Sequence, residues 1–290
     1  MIDLAKRGLS LAAVAAAVSA LWGCASPPAE PEGPKRAETL HVLTQDLQLL
    51  TLNAGQPSRV LARQTVKGLP AGDSLVGLDY RVARGVLFTL SRSGRLYTLD
   101  VASGQLKPFG AAPISPALEG SAFGVDFNPA ADRLRVVSNT GQNLRLVPDT
   151  GAVGAVDPAL RFAPGDAQAG QAPELVGAAY TYNKKDDKLT TNYALDRRQG
   201  TLVTQGSVEG RQPVVSPNTG LLYTVGSLGL GPLRDAAFDI ADVSGAAFAA
   251  LSTPADARTR LYEIDLSSGK ARRIGTVADG APIVGLAVEP

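Results

Sequence analysis

The chain holds one cysteine, one histidine, one tryptophan and one methionine in 290 residues. Each scarcity excludes something. A zinc site of the usual Cys/His kind needs three or four such ligands, and only Cys24 and His41 could supply them. A Ser-His-Asp triad would have to use His41 as its base. His41 opens a predicted strand and reads better as a satisfied or exposed histidine. A lone cysteine cannot pair within its own chain. The sequence also lacks a Gly-x-Ser-x-Gly elbow, a Walker-type phosphate loop and the strand-helix-strand unit of a dinucleotide site. Charge of one sign is lacking too. The formal net charge is +1, and without residues 1–23, which hold Asp3, Lys6 and Arg7, it is zero. Such a chain has no electrostatic footprint for nucleic acid. Past the N-terminus there is no long apolar run and no sustained helical period with caps.

What is present begins with a targeting pattern. Lys6 and Arg7 precede an apolar stretch from Leu9 to Leu21, and Gly23 is a small residue at a cleavage point. The stretch is short for a membrane-spanning helix, which needs ~20 residues. Leu21-Trp22-Gly23-Cys24 resembles the bacterial lipobox, in which the cysteine is acylated and becomes the mature N-terminus. Several acyl chains at ~0.8 kcal/mol per buried CH₂ anchor stably where one would be marginal. Ala25, rather than Asp, follows the cysteine, which by analogy favours the outer membrane. The sequence therefore predicts a leader over 1–23, a lipidated Cys24 with a Pro- and charge-rich tether through 38, and one domain over 39–290. The tether has little to bury and is expected to be extended and mobile.

The domain is built on repeated phrases. Leu96-Tyr97-Thr98-Leu99-Asp100, followed by Ser103-Gly104, returns as Leu261-Tyr262-Glu263-Ile264-Asp265, followed by Ser268-Gly269. Weaker echoes lie at Leu144–Gly151 and Tyr193–Asp196. Asp100 and Asp265 read as turn formers, with the glycines supplying positive φ. A second phrase is small and apolar: Val76-Gly77-Leu78-Asp79-Tyr80, Phe123-Gly124-Val125-Asp126-Phe127 and Val176-Gly177-Ala178-Ala179-Tyr180. Asp235-Ala236-Ala237-Phe238 and Val284-Gly285-Leu286-Ala287-Val288 fit it more loosely. Gly or Ala at these points allows strands to approach closely, as the crowded inner strand of a propeller blade requires. Short strands with turn signals every 8–12 residues read as all-β. The last inner-type strand, 283–288, has no partners of its own. The first segment has three strands and no inner one. Joined, they make a fifth blade, so the expected fold is a five-bladed β-propeller closed by pairing N-terminal strands with the C-terminal strand. The long stretch 206–231 is where a blade could be hidden or split.

The run Phe123–Arg145, with Val176–Thr181 and Thr219–Gly229, resembles the domain of unknown function 4394 family of bacterial proteins, over roughly residues 40–290. The resemblance implies propeller-like repeats in a secreted or envelope protein. It implies no established activity and no catalytic residue.

Two polar groupings remain. Asp79 and Asp126 hold equivalent positions on adjacent inner strands. They can bond backbone NH groups and lock blades together, bind a hard divalent cation such as calcium with Asn128 nearby, or work as a general acid or base. No full ring of carboxylates is expected, because Ala179 and Ala287 stand at the matching positions. Arg133, Arg135 and Arg145 on neighbouring strands form either an anion patch or a solvated face partnered by Asp132 and Asp149. Tyr97, Tyr223 and Tyr262 read as packing between blades. The expected function is a lipid-anchored, non-enzymatic binding or scaffolding module of the cell envelope, with an envelope protein or small ligand as partner. The alternative is a metal-dependent, lactonase-like hydrolase with its site in the central channel; a glycan binder is a third option.

Overall fold

The computed structural model describes residues 32–110 and 113–290. The predicted leader, Cys24 and the first part of the tether lie outside the described residues. The chain forms β1 (Thr39–Thr44), β2 (Gln48–Asn53) and β3 (Gln56–Thr65), then four complete sheets. The first is β4 (Leu75–Arg81), β5 (Val86–Ser91), β6 (Leu96–Leu99) and β7 (Leu106–Phe109). The second is β8 (Phe123–Asn128), β9 (Arg133–Ser138), β10 (Asn143–Val147) and β11 (Ala152–Val156). After a two-residue strand, β12 (Arg161–Phe162), the third is β13 (Leu175–Tyr180), β14 (Asn192–Asp196), β15 (Thr201–Gln205) and β16 (Leu221–Ser227). The fourth is β17 (Asp235–Ile240), β18 (Ala247–Ser252), β19 (Arg260–Ile264) and β20 (Ala271–Thr276), and β21 (Ile283–Val288) ends the chain.

β21 pairs antiparallel with β1, Leu40 opposite Val288 and His41 opposite Ala287, to give a fifth sheet in the order β21-β1-β2-β3. The molecule is thus a five-bladed β-propeller whose ring is closed by its two ends. Closure removes the long edges that an open array would leave. The stretch 206–231 does not hide a blade. It contains a long loop and β16, and β12 adds a parallel fifth strand at the rim of blade 3.

Blades stack face to face, so most strand residues are covered on both sides. This is why β8, β13 and β18 read as nearly continuous small or apolar runs rather than alternating ones. The buried apolar residues fall into five clusters, one for each junction between neighbouring blades. The junction of blades 2 and 3 has the fewest, Val137, Phe162, Leu175 and Val203 among them.

The inner strands explain the Gly-containing phrase. A Cβ on Gly124 would lie 2.7 Å from the backbone N of Ala178, and one on Gly285 2.6 Å from Leu78 Cβ. Gly77 meets Val125 and Gly177 meets Phe238 in the same way. Each glycine lets one inner strand lean on the next. The Leu-Tyr-x-Leu-Asp phrase behaves as expected at Asp100 and Asp265, whose carboxylates accept from Ser103 and from Ser267 and Ser268. The Tyr193–Asp196 echo, however, lies on the second strand of its blade rather than the third. Residues 49–53, on β2, are the third-strand counterpart in the closing blade, with Asn53 accepting from Gly55 where an Asp stands elsewhere.

The end of the expected tether is docked. Arg36 pairs with Glu263, sits 5.1 Å from the Phe248 ring centroid, and is held at its backbone by Asn53. One arginine placed over an aromatic ring and beside a carboxylate outweighs the absence of apolar residues. Replacing Gly124 by Ala drives a methyl into the backbone of blade 3. Denaturant unfolding should show a loss of at least about 1–3 kcal/mol.

Candidate functional site

The inner strands run side by side around the axis, and their aligned positions form tiers. The glycine tier nearly closes the channel, leaving a cavity of about 20 Å³. Two residues further along each strand, the residues are Asp79, Asp126, Ala179, Asp239 and Ala287. The carboxylates of Asp79, Asp126 and Asp239 are buried, and ligand oxygens from the three lie within 4.8 Å of one another. Asp239 was not singled out in the sequence. Aligning the fourth phrase from Asp235 placed its strand one residue out of register. Reading Ala236-Ala237-Phe238-Asp239-Ile240, with Ala237 in the glycine place, would have found it.

An inner strand has no partner on its channel side, so its NH groups there need acceptors. Phe127 NH donates to Asp79 Oδ2 at 2.6 Å, Tyr180 NH to Asp126 Oδ2 at 2.7 Å, and Val288 NH to Asp239 Oδ2 at 2.6 Å. Each of these bonds crosses from one blade to the next. Where the preceding blade has alanine, Asp239 also serves its own strand, with Ile240 NH donating to its Oδ1, and the Tyr80 NH near Asp79 favours that carboxylate. Three carboxylates thus accept four strand NH groups of this tier.

Burial raises the pKa of all three acids. Asp79 is raised to about 7 by desolvation, with the Phe127 NH and a hydrogen bond from the Asp126 carboxyl opposing the rise. Asp126 is raised well above the usual range by desolvation and then by the charges of Asp79 and Asp239. Asp239 is raised by desolvation and by the charge of Asp79. Asp242, half-buried just beyond β17, is raised by desolvation to about 6. Burial and mutual repulsion therefore favour the protonated form at these carboxyls. Oxygen donors in this arrangement also suit a hard cation, which would have to compete with those protons. Asn128 is not part of the group: its Oδ1 accepts from Ala130 and Ala131 in the β8–β9 turn. His41 is buried beside Tyr80, ring centroids 5.8 Å apart, with Nδ1 3.3 Å from Thr51 Oγ1. Burial lowers its pKa against the pull of Glu289.

The three arginines meet in one place, and their partners differ from those expected. Arg135 lies opposite Asp126 in the β8–β9 register and is 1% exposed. It donates to Tyr180 Oη, Asn143 Oδ1, Asn218 Oδ1 and Asp157 Oδ2, binding blade 2 to blade 3. Arg145 makes a two-pronged pair with Asp157 at 2.8 Å. Asp132 and Asp149 instead hold Arg81, at the end of β4. Arg133 is left with the carbonyls of Ala131 and Asp132. All three arginines line a cavity of about 410 Å³ at the junction of blades 2 and 3, together with Lys188, Glu209 and Arg211. Its walls are the loops 181–191 and 206–220, both at the end of blade 3 where the inner strand finishes. The matching connections in the other blades are turns of two to six residues.

Residues 48–287 match the family described as "Domain of unknown function (DUF4394)". The chain belongs to this family. A comparison with the curated proteins gave no match. Among solved structures, the chain is similar to one in a nidogen/laminin complex, at 11% identity and a TM-score of 0.48, covering 87% of this chain and 98% of that one. It is also similar to Myxococcus xanthus glutaminyl cyclase, at 14% identity and a TM-score of 0.47, covering 84% and 97%. A putative 6-phosphogluconolactonase from Bacteroides uniformis is similar at 13% identity and a TM-score of 0.45, covering 84% and 83%. Likenesses this distant carry no argument about function.

The carboxyl tier yields a test. The folded chain holds protons that an unfolded aspartate releases near pH ~4, so stability falls as pH rises from there through about 7, where Asp79 titrates. Asp126→Asn keeps an acceptor for Tyr180 NH and removes an acid. It should raise the Tm at pH 8 and leave it nearly unchanged at pH 4, as read by circular dichroism. Asp126→Ala orphans the NH and should cost about 1–3 kcal/mol at pH 4, and less at pH 8, where removing the acid offsets part of the loss.

Proposed function

We propose that this protein is a non-enzymatic binding module of the bacterial cell envelope, anchored through a lipid on Cys24 in the outer membrane and presenting its propeller to the periplasm or the exterior. The observation that carries the reading is the departure from five-fold regularity at blade 3. Its two lengthened loops wall a cavity at one end of an otherwise regular ring. Loops that break a rigid repeat are where binding residues concentrate. The channel supports the same reading, since its glycine tier leaves about 20 Å³ and its carboxylates are engaged by backbone NH groups. The lipobox-like Leu21–Cys24 supplies the anchor, and the partner is an envelope protein or a small ligand.

A metal-dependent, lactonase-like hydrolase is the second reading, favoured by the meeting of three carboxylates. Metal analysis of the purified protein separates the two. Stoichiometric divalent metal, lost in the Asp79→Asn and Asp239→Asn variants, would support the hydrolase; its absence would remove it.

Cys24→Ala should abolish incorporation of labelled palmitate and release the protein from the membrane fraction. A photo-crosslinker at Val214 in living cells should capture a partner or ligand that one at Ser93 does not. If shortening the loop 206–220 left every envelope crosslink in place, the binding reading would fail.

A further inference from the structure

We propose that the cavity between blades 2 and 3 binds a hydroxylated organic phosphate. The inference rests on the binding-module reading and names the ligand chemistry of that same site. Five cationic side chains line the cavity against one carboxylate, Glu209. Asp157 behind the wall balances part of the charge of Arg135 and Arg145. Among the described residues, Arg133, Lys188 and Arg211 have no carboxylate within ion-pair distance. Counting formal charges, the five basic side chains against Glu209 and Asp157 leave an excess of three positive charges. Guanidinium forks match the oxygens of a phosphate, and an ammonium adds a point charge. A dianion suits this excess better than a single carboxylate does.

The remaining features describe the rest of the ligand. Glu209 is partly exposed and lines the cavity, and its Oε2 has no hydrogen-bond partner among the described residues. A carboxylate in that state calls for a donor, and a ligand hydroxyl at its open side supplies one. Leu189 and Val214, 41% and 71% exposed, offer apolar surface at the rim for a carbon skeleton. A cavity of about 410 Å³ has the size of a small-molecule site. Arg135 is the fixed floor. Its four side-chain partners on both blades hold it in place before any ligand arrives, which limits the ordering cost of binding.

The phosphate could be that of a free metabolite or of a lipid headgroup, and titration calorimetry on the full-length protein in detergent distinguishes them. The probes are glucose 6-phosphate, glucose, inorganic phosphate and a soluble short-chain phosphatidylglycerol. Glucose 6-phosphate is expected to bind more tightly than inorganic phosphate, and glucose not at all. Affinity should fall with added salt. Arg133→Gln with Arg211→Gln should weaken binding by about tenfold or more, the effect of losing one charge-assisted hydrogen bond. Glu209→Ala should weaken glucose 6-phosphate while leaving inorganic phosphate as tight or tighter. Binding to the short-chain phosphatidylglycerol alone, lost in the arginine variant, would assign the same chemistry to a headgroup. The proposal is overturned if neither source binds, or if binding survives the arginine substitutions in variants that melt like the parent. In that event a retained crosslink at Val214 leaves the binding-module reading standing, whereas loss of both would remove it.

Discussion

The fold depends on how closely the five inner strands approach one another around the axis. Five blades make a tight ring, and side chains at the narrowest tier would hold the strands apart. Gly77, Gly124, Gly177 and Gly285 remove them, and Ala237 is the largest residue accepted there. The approach brings the channel-side NH groups of every inner strand together in buried surroundings. The next tier answers this with carboxylates. Asp79, Asp126 and Asp239 take four NH groups among them, three of these across a blade junction. A chain closed by its own ends needs such ties, because no continuous sheet joins one blade to the next.

That arrangement places acids where charge is poorly solvated. The three carboxyls remain there because their protonated form is favoured and because each oxygen that faces a strand is hydrogen-bonded. An acidic cluster on a propeller axis invites a metal-site interpretation, but here each member has a structural task that accounts for its position. The other polar group of the interior, around Arg135, differs in kind. It stands at the junction with the fewest apolar residues, in the place where blades 1 and 4 have Phe88 and Phe248. A hydrogen-bonded arginine replaces an aromatic packing residue, and the cavity opens directly beside it.

Local residue preferences reached far in this chain. The spacing of the two phrases determined the number of blades, most strand positions and the closure between β1 and β21. Turn chemistry at Asp100 and Asp265 was legible because it involves neighbours in sequence. Asp79 and Asp126 were recognisable as equivalent for the same reason. Asp239 escaped because its blade has Ala237 in the glycine place and a second aspartate, Asp235, four residues earlier, so the pattern could be aligned wrongly. The docking of Arg36 on Phe248 and Glu263 spans more than two hundred residues, and no local pattern announces such a contact.

By itself the sequence determined the all-β class, the repeat and its closure, since each of these is written in short-range spacing. Only the tertiary structure decided which charges are paired. Asp132 and Asp149, adjacent to the arginines in sequence, turned to Arg81 of another blade, while Asp157 took Arg135 and Arg145. Charge pairing follows distance in space, and in a propeller the nearest neighbours belong to different blades. That exchange of partners leaves Arg133, at the wall of the blade 2–3 cavity, bonded to the carbonyls of Ala131 and Asp132 rather than paired with a carboxylate.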